Sequence, residues 1–241
     1  MPLDATQGVP RKRDLMPLRI GILASGSGSN AQRFFDLRRT GALTIDPVLL
    51  ICNRPGAGAL ERAEQAGVPS LMLDHTKETE RERYDRSLVA ALKEARAELI
   101  VMAGYMRLVT PFFLDSFSGR VINIHPALLP SFPGMRGAVD ALEYGVRLTG
   151  CTVHFVDEIM DHGPVIIQAA VPVNADDDRD TLQARIHALE HRIYPQAVQW
   201  FAEKRVKIEG RQVRILPTAT PRRTVASDGS WLVWPPLEEP F

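Results

Sequence analysis

Residues 19–30 read Arg19-Ile20-Gly21-Ile22-Leu23-Ala24-Ser25-Gly26-Ser27-Gly28-Ser29-Asn30, a short apolar run followed at once by a glycine–serine turn. An apolar run of this length that ends in a turn predicts a buried β-strand. Residues 31–39 then favour a helix. A glycine-rich turn between a strand and a helix is typical of the ligand-binding end of an α/β fold.

The same rhythm of strand and helix continues along the chain. We predict further buried strands over residues 47–52, 70–73, 99–102 and 121–124, with helices over 57–66 and 83–97. Because these strands lack polar alternation, they predict a parallel sheet covered on both faces. Beyond them, runs 152–156 and 165–171 predict antiparallel neighbours, and a long helix follows for which we expect Asp180 to be the N-cap.

The predicted fold is therefore α/β and Rossmann-like, with a mostly parallel central sheet, helices on both faces and antiparallel strands added in the C-terminal half. We expect three regions: a disordered N-terminal extension (residues 1–17), one catalytic domain (18–206) and a C-terminal tail packing on that domain (207–241). The tail is rich in Pro, Arg and Thr.

Composition restricts the function. Among 241 residues, 29 Lys and Arg balance 29 Asp and Glu, so the basic excess of a nucleic-acid-binding protein is missing. The two cysteines, Cys52 and Cys151, are far apart, which suits a reduced cytosol better than a disulfide framework. No apolar run approaches the roughly 20 residues that span a bilayer. We expect a cytoplasmic monomer or homodimer with small-molecule substrates and neither a nucleic acid nor a membrane as partner.

The glycine–serine turn predicts an anion site, because glycine lets the backbone approach a phosphate and the amides at a helix N-terminus attract it. From Gly26 onward the turn also satisfies the dinucleotide pattern G-x-G-x-x-G/A. NAD would require an acidic residue at the end of the second strand. That place holds Cys52, Asn53 and Arg54, so NAD is disfavoured, while NADP and a plain tight turn both stay open.

Asn123 and His125 lie two residues apart at the carboxyl end of a predicted parallel strand, so their side chains leave the same side of it. Ligands of open α/β sheets bind at that end. An amide that can donate to an oxyanion, beside an imidazole that can move protons, suits acyl transfer. No serine or cysteine stands in a nucleophile motif, which favours direct transfer to an external amine. A polar strand end satisfied by backbone groups is the alternative.

Several ordered segments carry a family resemblance. The run Asn123-Ile124-His125-Pro126-Ala127-Leu128-Leu129-Pro130, followed later by Asp161-His162-Gly163-Pro164, resembles the folate-dependent formyltransferases. The resemblance extends from about Arg19 to about Phe201 and includes segments 25–30, 106–108, 151–156 and 190–195. It departs from the family pattern at Ala127, which replaces a serine, and at 135–138, where the family often has a histidine nearby.

The resemblance implies 10-formyltetrahydrofolate as the co-substrate that donates the formyl group, 5-phosphoribosylglycinamide as the acceptor in purine synthesis, and no metal. It implies three sets of site residues: a catalytic trio, Asn123, His125 and Asp161; an acceptor set, Gly28, Ser29, Asn30 and Glu190; and a folate set, Arg81, Met106, Arg107, Leu108 and Val109, together with Asn123. In the trio, Asn123 would donate to the oxyanion and His125 would act as general acid. Asp161 would favour the imidazolium if it lies nearby.

Each implied role has an ordinary structural alternative. Met106 and Leu108 could belong to the core, Arg81 and Glu190 could be solvated helix residues, and Asp161 could be a turn former. Two other branches of the family, methionyl-tRNA formyltransferase and formyltetrahydrofolate deformylase, share the trio. We expect neither, because each carries a further domain that this sequence is too short to hold.

Overall fold

The computed structural model describes residues 16–218 and 221–241. The predicted N-terminal extension, residues 1–17, lies outside the described residues except for residues 16 and 17. In chain order the elements are β1 (Leu18–Ala24), α1 (Ser29–Arg39), β2 (Ile45–Cys52), α2 (Gly58–Gln65), β3 (Ser70–Met72), α3 (Arg81–Glu94), β4 (Leu99–Met102), α4 (Pro111–Ser116), β5 (Val121–His125), α5 (Gly137–Tyr144), β6 (Leu148–Phe155), β7 (Val165–Pro172), α6 (Arg179–Ala202), β8 (Val206–Glu209), β9 (Gln212–Ile215) and β10 (Leu232–Trp234).

Eight strands form the central sheet in the order β10-β7-β6-β5-β4-β1-β2-β3. Strands β1 to β5 run parallel, whereas β6, β7 and β10 are added antiparallel, each to its neighbour. A separate antiparallel hairpin, β8–β9, follows α6. The predicted fold class, a mostly parallel sheet with antiparallel strands in the C-terminal half, is confirmed.

Helices cover both faces of the sheet. On one face α1 and α6 bury a core that includes Phe34, Tyr194 and Trp200, and on the other face α3 and α4 bury one that includes Leu88 and Phe113. Burial on both faces explains why the parallel strands are apolar without alternation.

The strand order places a topological switch point between β1 and β4. The chain leaves β1 toward β2 on one side and returns to β4 on the other. The loops after these two strands therefore diverge at the carboxyl edge of the sheet, where α/β proteins bind ligands. They are joined directly, because the amide of Ser25 donates to the Gly104 carbonyl at 3.1 Å and the Met106 amide donates to Ser25 Oγ at 2.8 Å.

Several element bounds differ from the predictions, β6 most of all because it begins at Leu148, and two helices show the physical reason. The N-cap of α6 is Asp178 and not Asp180. The Asp178 carboxylate accepts from the Thr181 amide at 2.8 Å, and the Thr181 hydroxyl oxygen accepts from the Asp178 amide at 2.9 Å. Asp180 was the wrong choice because a threonine at N3 can complete a capping box as Glu or Gln does. Helix α3 ends before residue 97, since Arg96 takes a left-handed conformation (φ 55°) that a helix cannot continue through.

The C-terminal segment contacts the sheet through strand pairing and α6 through partly buried charges. Strand β10 pairs with β7, and Glu238 lies between Arg205 and Arg222 while also accepting from the Trp200 indole. Burial alone would raise the pKa of Glu238, but the hydrogen bonds and positive charge of Arg205 outweigh it and lower that pKa. The ionised carboxylate therefore stabilises the folded state.

Replacing Glu238 with glutamine should lower the Tm, and the loss should depend on pH. Because the pKa of Glu238 is lowered on folding, its contribution is fully present above the unfolded value of about 4.3 and disappears as the pH falls through the folded value. Thermal unfolding of both proteins should thus show a Tm difference near neutral pH that shrinks in acid. Glu209→Gln, at an exposed pair in the hairpin, is the control and should change Tm little. A pH-independent difference for Glu238→Gln would contradict the expectation.

Candidate active site

The predicted catalytic trio meets at the carboxyl end of β5. Asn123 and His125 stand on β5 itself, and Asp161 comes from the loop that joins β6 to β7. His125 Nδ1 lies 3.4 Å from Asp161 Oδ2, and the same oxygen accepts from the Gly134 amide at 2.7 Å. Asp161 has φ 53°, a left-handed conformation that aspartate tolerates in tight turns. It is thus both a turn residue and the partner of His125.

The protons on His125 can be assigned from its neighbours. Its Nε2 lies 2.8 Å from the Phe132 carbonyl oxygen, which can only accept, so Nε2 carries a hydrogen. On the other side of the ring, Nδ1 lies 3.4 Å from a carboxylate oxygen of Asp161. The ring is 3% exposed. The arrangement can hold a proton ready for transfer at the edge of the sheet.

The glycine loop ends in a helix N-terminus without a side-chain cap. Gly28 is the N-cap of α1 with φ 76°. No side chain among residues 16–218 and 221–241 caps the amides of the first turn, and that turn has no acidic residue. Amides in this position attract anions. A Cβ on residue 28 would lie 2.6 Å from Ala59 Cα, so glycine is required there both by its backbone angle and by close packing.

The acceptor set is joined across the fold by a buried hydrogen bond. Asn30 Nδ2 donates to Glu190 Oε2 at 2.9 Å, although the two residues are 160 positions apart. Glu190 is 4% exposed, so the alternative of a solvated helix residue is wrong. Burial raises the pKa of Glu190, while the charge of His187, the Asn30 hydrogen bond and the charge of His125 oppose that shift. Glu190 therefore lies within electrostatic reach of His125.

Two apolar side chains of the predicted folate set are open to solvent. Met106 is 50% exposed and Leu108 is 53% exposed, so the alternative that they belong to the core is wrong. Arg81, at the start of α3, donates to the Leu108 carbonyl at 3.0 Å. Arg81 and Leu108 are thus in contact, and Met106 lies two residues before Leu108 in the loop that bonds Ser25. The exposed apolar side chains of this loop suit a flat aromatic ligand.

The other two members of the predicted folate set, Arg107 and Val109, contact buried residues on the α3 side of the sheet. Arg107 lies over the Tyr84 ring at 4.5 Å, and its Nε and Nη2 are buried without a protein partner among the residues that the structure describes. Val109 packs against the core on the α3 side. The roles of Arg107 and Val109 toward folate stay predictions.

The two cysteines offer no nucleophile to this site. Both are buried free thiols. Burial raises the pKa of Cys151 well above its usual value, with the charge of Glu190 adding to the effect, so its thiolate is disfavoured. This fits the expectation of direct transfer to an external amine.

Sequence reasoning assigned no role to His154, which the structure places against the trio. His154 Nε2 lies 3.2 Å from Asn123 Nδ2 and 3.7 Å from Asp161 Oδ1. The signal that could have found it is the pair Thr152 and His154, two polar residues that alternate with Val153 and Phe155 at the end of β6. Two polar residues of equal parity indicate a polar patch on one face of β6.

Comparison with known families identifies the family of this chain. A family model described as formyl transferase matches residues 18–198, from β1 into α6. This chain belongs to the formyl transferase family. The match contains every residue of the three predicted site sets, and the resemblance to this family, inferred from the sequence motifs, is confirmed.

Relatives within the formyl transferase family carry more specific names. The phosphoribosylglycinamide formyltransferase of Escherichia coli (strain K12) is 41% identical over 191 residues, which are 79% of this chain and 90% of the relative. The crystal structure of glycinamide ribonucleotide transformylase 1 from Symbiobacterium toebii is 48% identical with a TM-score of 0.82, covering 84% of this chain and 95% of that one.

A longer relative is the trifunctional purine biosynthetic protein adenosine-3 of Drosophila melanogaster, 49% identical over 182 residues. These residues are 75% of this chain but only 14% of the relative, so the chain corresponds to a small part of that protein.

Among the helices within residues 16–218 and 221–241, none has the length and apolar character needed to cross a membrane.

Proposed function

We propose that this chain transfers the formyl group of 10-formyltetrahydrofolate to the amine of 5-phosphoribosylglycinamide, a step of purine synthesis. The observation that carries the proposal is the meeting of Asn123, His125 and Asp161 at the carboxyl end of β5, at the same edge of the sheet as the uncapped N-terminus of α1. Two relatives that bear the name phosphoribosylglycinamide formyltransferase support the same substrates, and the match covers 90% and 93% of their lengths.

The acceptor would bind along the glycine loop. The amides at the start of α1, from Ser29 onward, would hold its phosphate, because they have no side-chain cap and lie at the positive end of the helix. The Asn30 amide nitrogen is already used by Glu190, whereas Asn30 Oδ1 is buried without a partner among the described residues. Glu190 and Asn30 Oδ1 would therefore accept hydrogen bonds from the sugar or amine portion of the acceptor.

The folate would lie across the exposed surface formed by Arg81, Met106 and Leu108, with N10 near His125. The acceptor amine attacks the formyl carbon, and the carbonyl oxygen becomes an oxyanion to which Asn123 donates. His125 gives a proton to N10 as the bond from carbon to N10 breaks, and the proton that the amine loses passes to His125 and restores it. In this step N10 replaces the Phe132 carbonyl as the partner of His125 Nε2. The products are tetrahydrofolate and the formylated ribotide.

A single assay tests the proposal. The protein is mixed with 10-formyltetrahydrofolate, and loss of the formyl group is followed with and without 5-phosphoribosylglycinamide. We expect rapid deformylation only when the acceptor is present, with one formylated ribotide formed for each folate consumed. Equal rates without the acceptor would indicate hydrolysis and would contradict transfer.

Three further expectations remain predictions: location in the cytoplasm, a monomeric or homodimeric state, and a reaction without a metal.

Asp161→Asn should reduce kcat by about 10²-fold or more, because the carboxylate that faces His125 Nδ1 is replaced by a neutral amide. Asparagine tolerates the left-handed conformation at position 161, so the backbone should be retained. Asp157→Asn is the matched control, since it removes the same charge from the same loop but from a partner of His162. Steady-state kinetics of both variants provide the measurement. Similar losses in the two variants would mean that Asp161 acts only through the loop.

A further inference from the structure

His154 is fixed beside Asn123 by the register of the sheet. Strands β5 and β6 pair antiparallel with Asn123 directly opposite His154, and the two side chains meet at 3.2 Å between Nδ2 and Nε2. His154 is 2% exposed. A buried imidazole without a polar partner would be costly, so this contact needs a defined donor and acceptor.

The donor and acceptor follow from the other side of the ring. His154 Nδ1 lies 2.8 Å from the Phe155 carbonyl oxygen and must donate to it. Burial lowers the pKa of His154, although the Phe155 hydrogen bond and the charge of Asp161 oppose the shift. A neutral ring that carries its hydrogen on Nδ1 has a lone pair on Nε2. Nε2 is therefore the acceptor, and the Asn123 amide nitrogen donates to it.

This contact decides which way the Asn123 amide faces. An isolated asparagine can place its oxygen or its nitrogen at a given point with little difference in energy, and only the nitrogen can donate to an oxyanion. With one N–H of Asn123 engaged by His154, the second N–H leaves the same nitrogen and is free to donate. We propose that His154 is a positioning residue that holds the Asn123 amide with an N–H directed to the oxyanion of the transferred formyl group. The inference rests on the proposed formyl transfer.

Two replacements of His154 separate positioning from packing. Glutamine can put a side-chain oxygen near the place of Nε2 and accept from Asn123, whereas methionine fills the space without a strong acceptor. We expect His154→Met to lower kcat by about 10- to 100-fold, since a misplaced catalytic group can cost this much, with KM for both substrates nearly retained. His154→Gln should recover most of that loss at a similar Tm.

A double-mutant cycle tests whether His154 acts through Asn123. In an Asn123→Ala background the amide is absent, so adding His154→Met should change kcat by less than about twofold. Independent losses that multiply in the double variant would overturn the proposal, because His154 would then act by another route. Equal kcat for His154→Met and wild type would overturn it as well.

The hydrogen bond itself is measured without substrates. In the unliganded protein we expect a scalar coupling across the N–H···N bond between Asn123 Nδ2 and His154 Nε2, with no hydrogen attached to Nε2. A hydrogen on Nε2 without that coupling would overturn the proposed orientation even if a methionine variant failed to fold. Failure of the proposed function has a different signature, because the wild type would then not formylate the ribotide although the coupling is present.

Discussion

His125→Ala is expected to lower kcat by about 10²- to 10⁴-fold, the range found when a general acid or base is lost. The hydrogen on His125 Nε2, which faces the Phe132 carbonyl, is no longer available to the departing N10. Binding of the folate should change little, because the exposed surface assigned to it is built from α3 and the loop after β4. Steady-state kinetics and a folate-binding titration measure the two effects.

Alanine also leaves a cavity, because His125 is 3% exposed, so a second variant is needed. His125→Gln keeps most of the volume and can still donate to the Phe132 carbonyl, but it cannot transfer a proton at neutral pH. We expect the glutamine variant to recover Tm without recovering kcat. Turnover near that of wild type in either variant would remove His125 from the mechanism.

Removing the phosphate from the acceptor is expected to lower kcat/KM by about 10²-fold or more. The proposed phosphate site at the start of α1 would be remote from the reacting amine, so its binding energy would serve to hold the amine near the formyl carbon. Glycinamide riboside should therefore be a poor acceptor while the affinity for folate is unchanged. If the riboside reacts as well as the ribotide, the glycine loop is not a phosphate site and the acceptor assignment fails with it.

Gly28→Val should produce the same defect in the protein. A side chain there would have to adopt φ 76° and would meet the backbone of Ala59, so the loop must move away from its position. In Gly28→Val the kcat/KM for the ribotide should fall toward the kcat/KM for the riboside. The kcat/KM for the riboside should stay as low as in the wild type. Gly26→Ala is the matched control for folding, because a Cβ on residue 26 meets nothing within 4 Å. An undiminished preference for the ribotide in Gly28→Val would contradict the assignment.

Much of the fold follows from local pattern. The apolar runs that became β1, β2, β4 and β5 are recognisable because a strand buried on both faces has no polar alternation. The glycine turn and the pair Asn123 and His125 are also local signals, since a loop after a strand and two residues of equal parity need no knowledge of distant contacts. From these segments the sequence by itself determined the fold class, the family and the end of the sheet that carries the site.

The tertiary structure decided what depends on strand order and long-range packing. It paired Asn30 with Glu190, exposed Met106 and Leu108 beside Arg81, and set His154 opposite Asn123. None of these follows from periodicity, because each contact joins segments far apart in the chain. Strand order fixes which of those segments become neighbours, and burial then determines which polar groups must find partners among them.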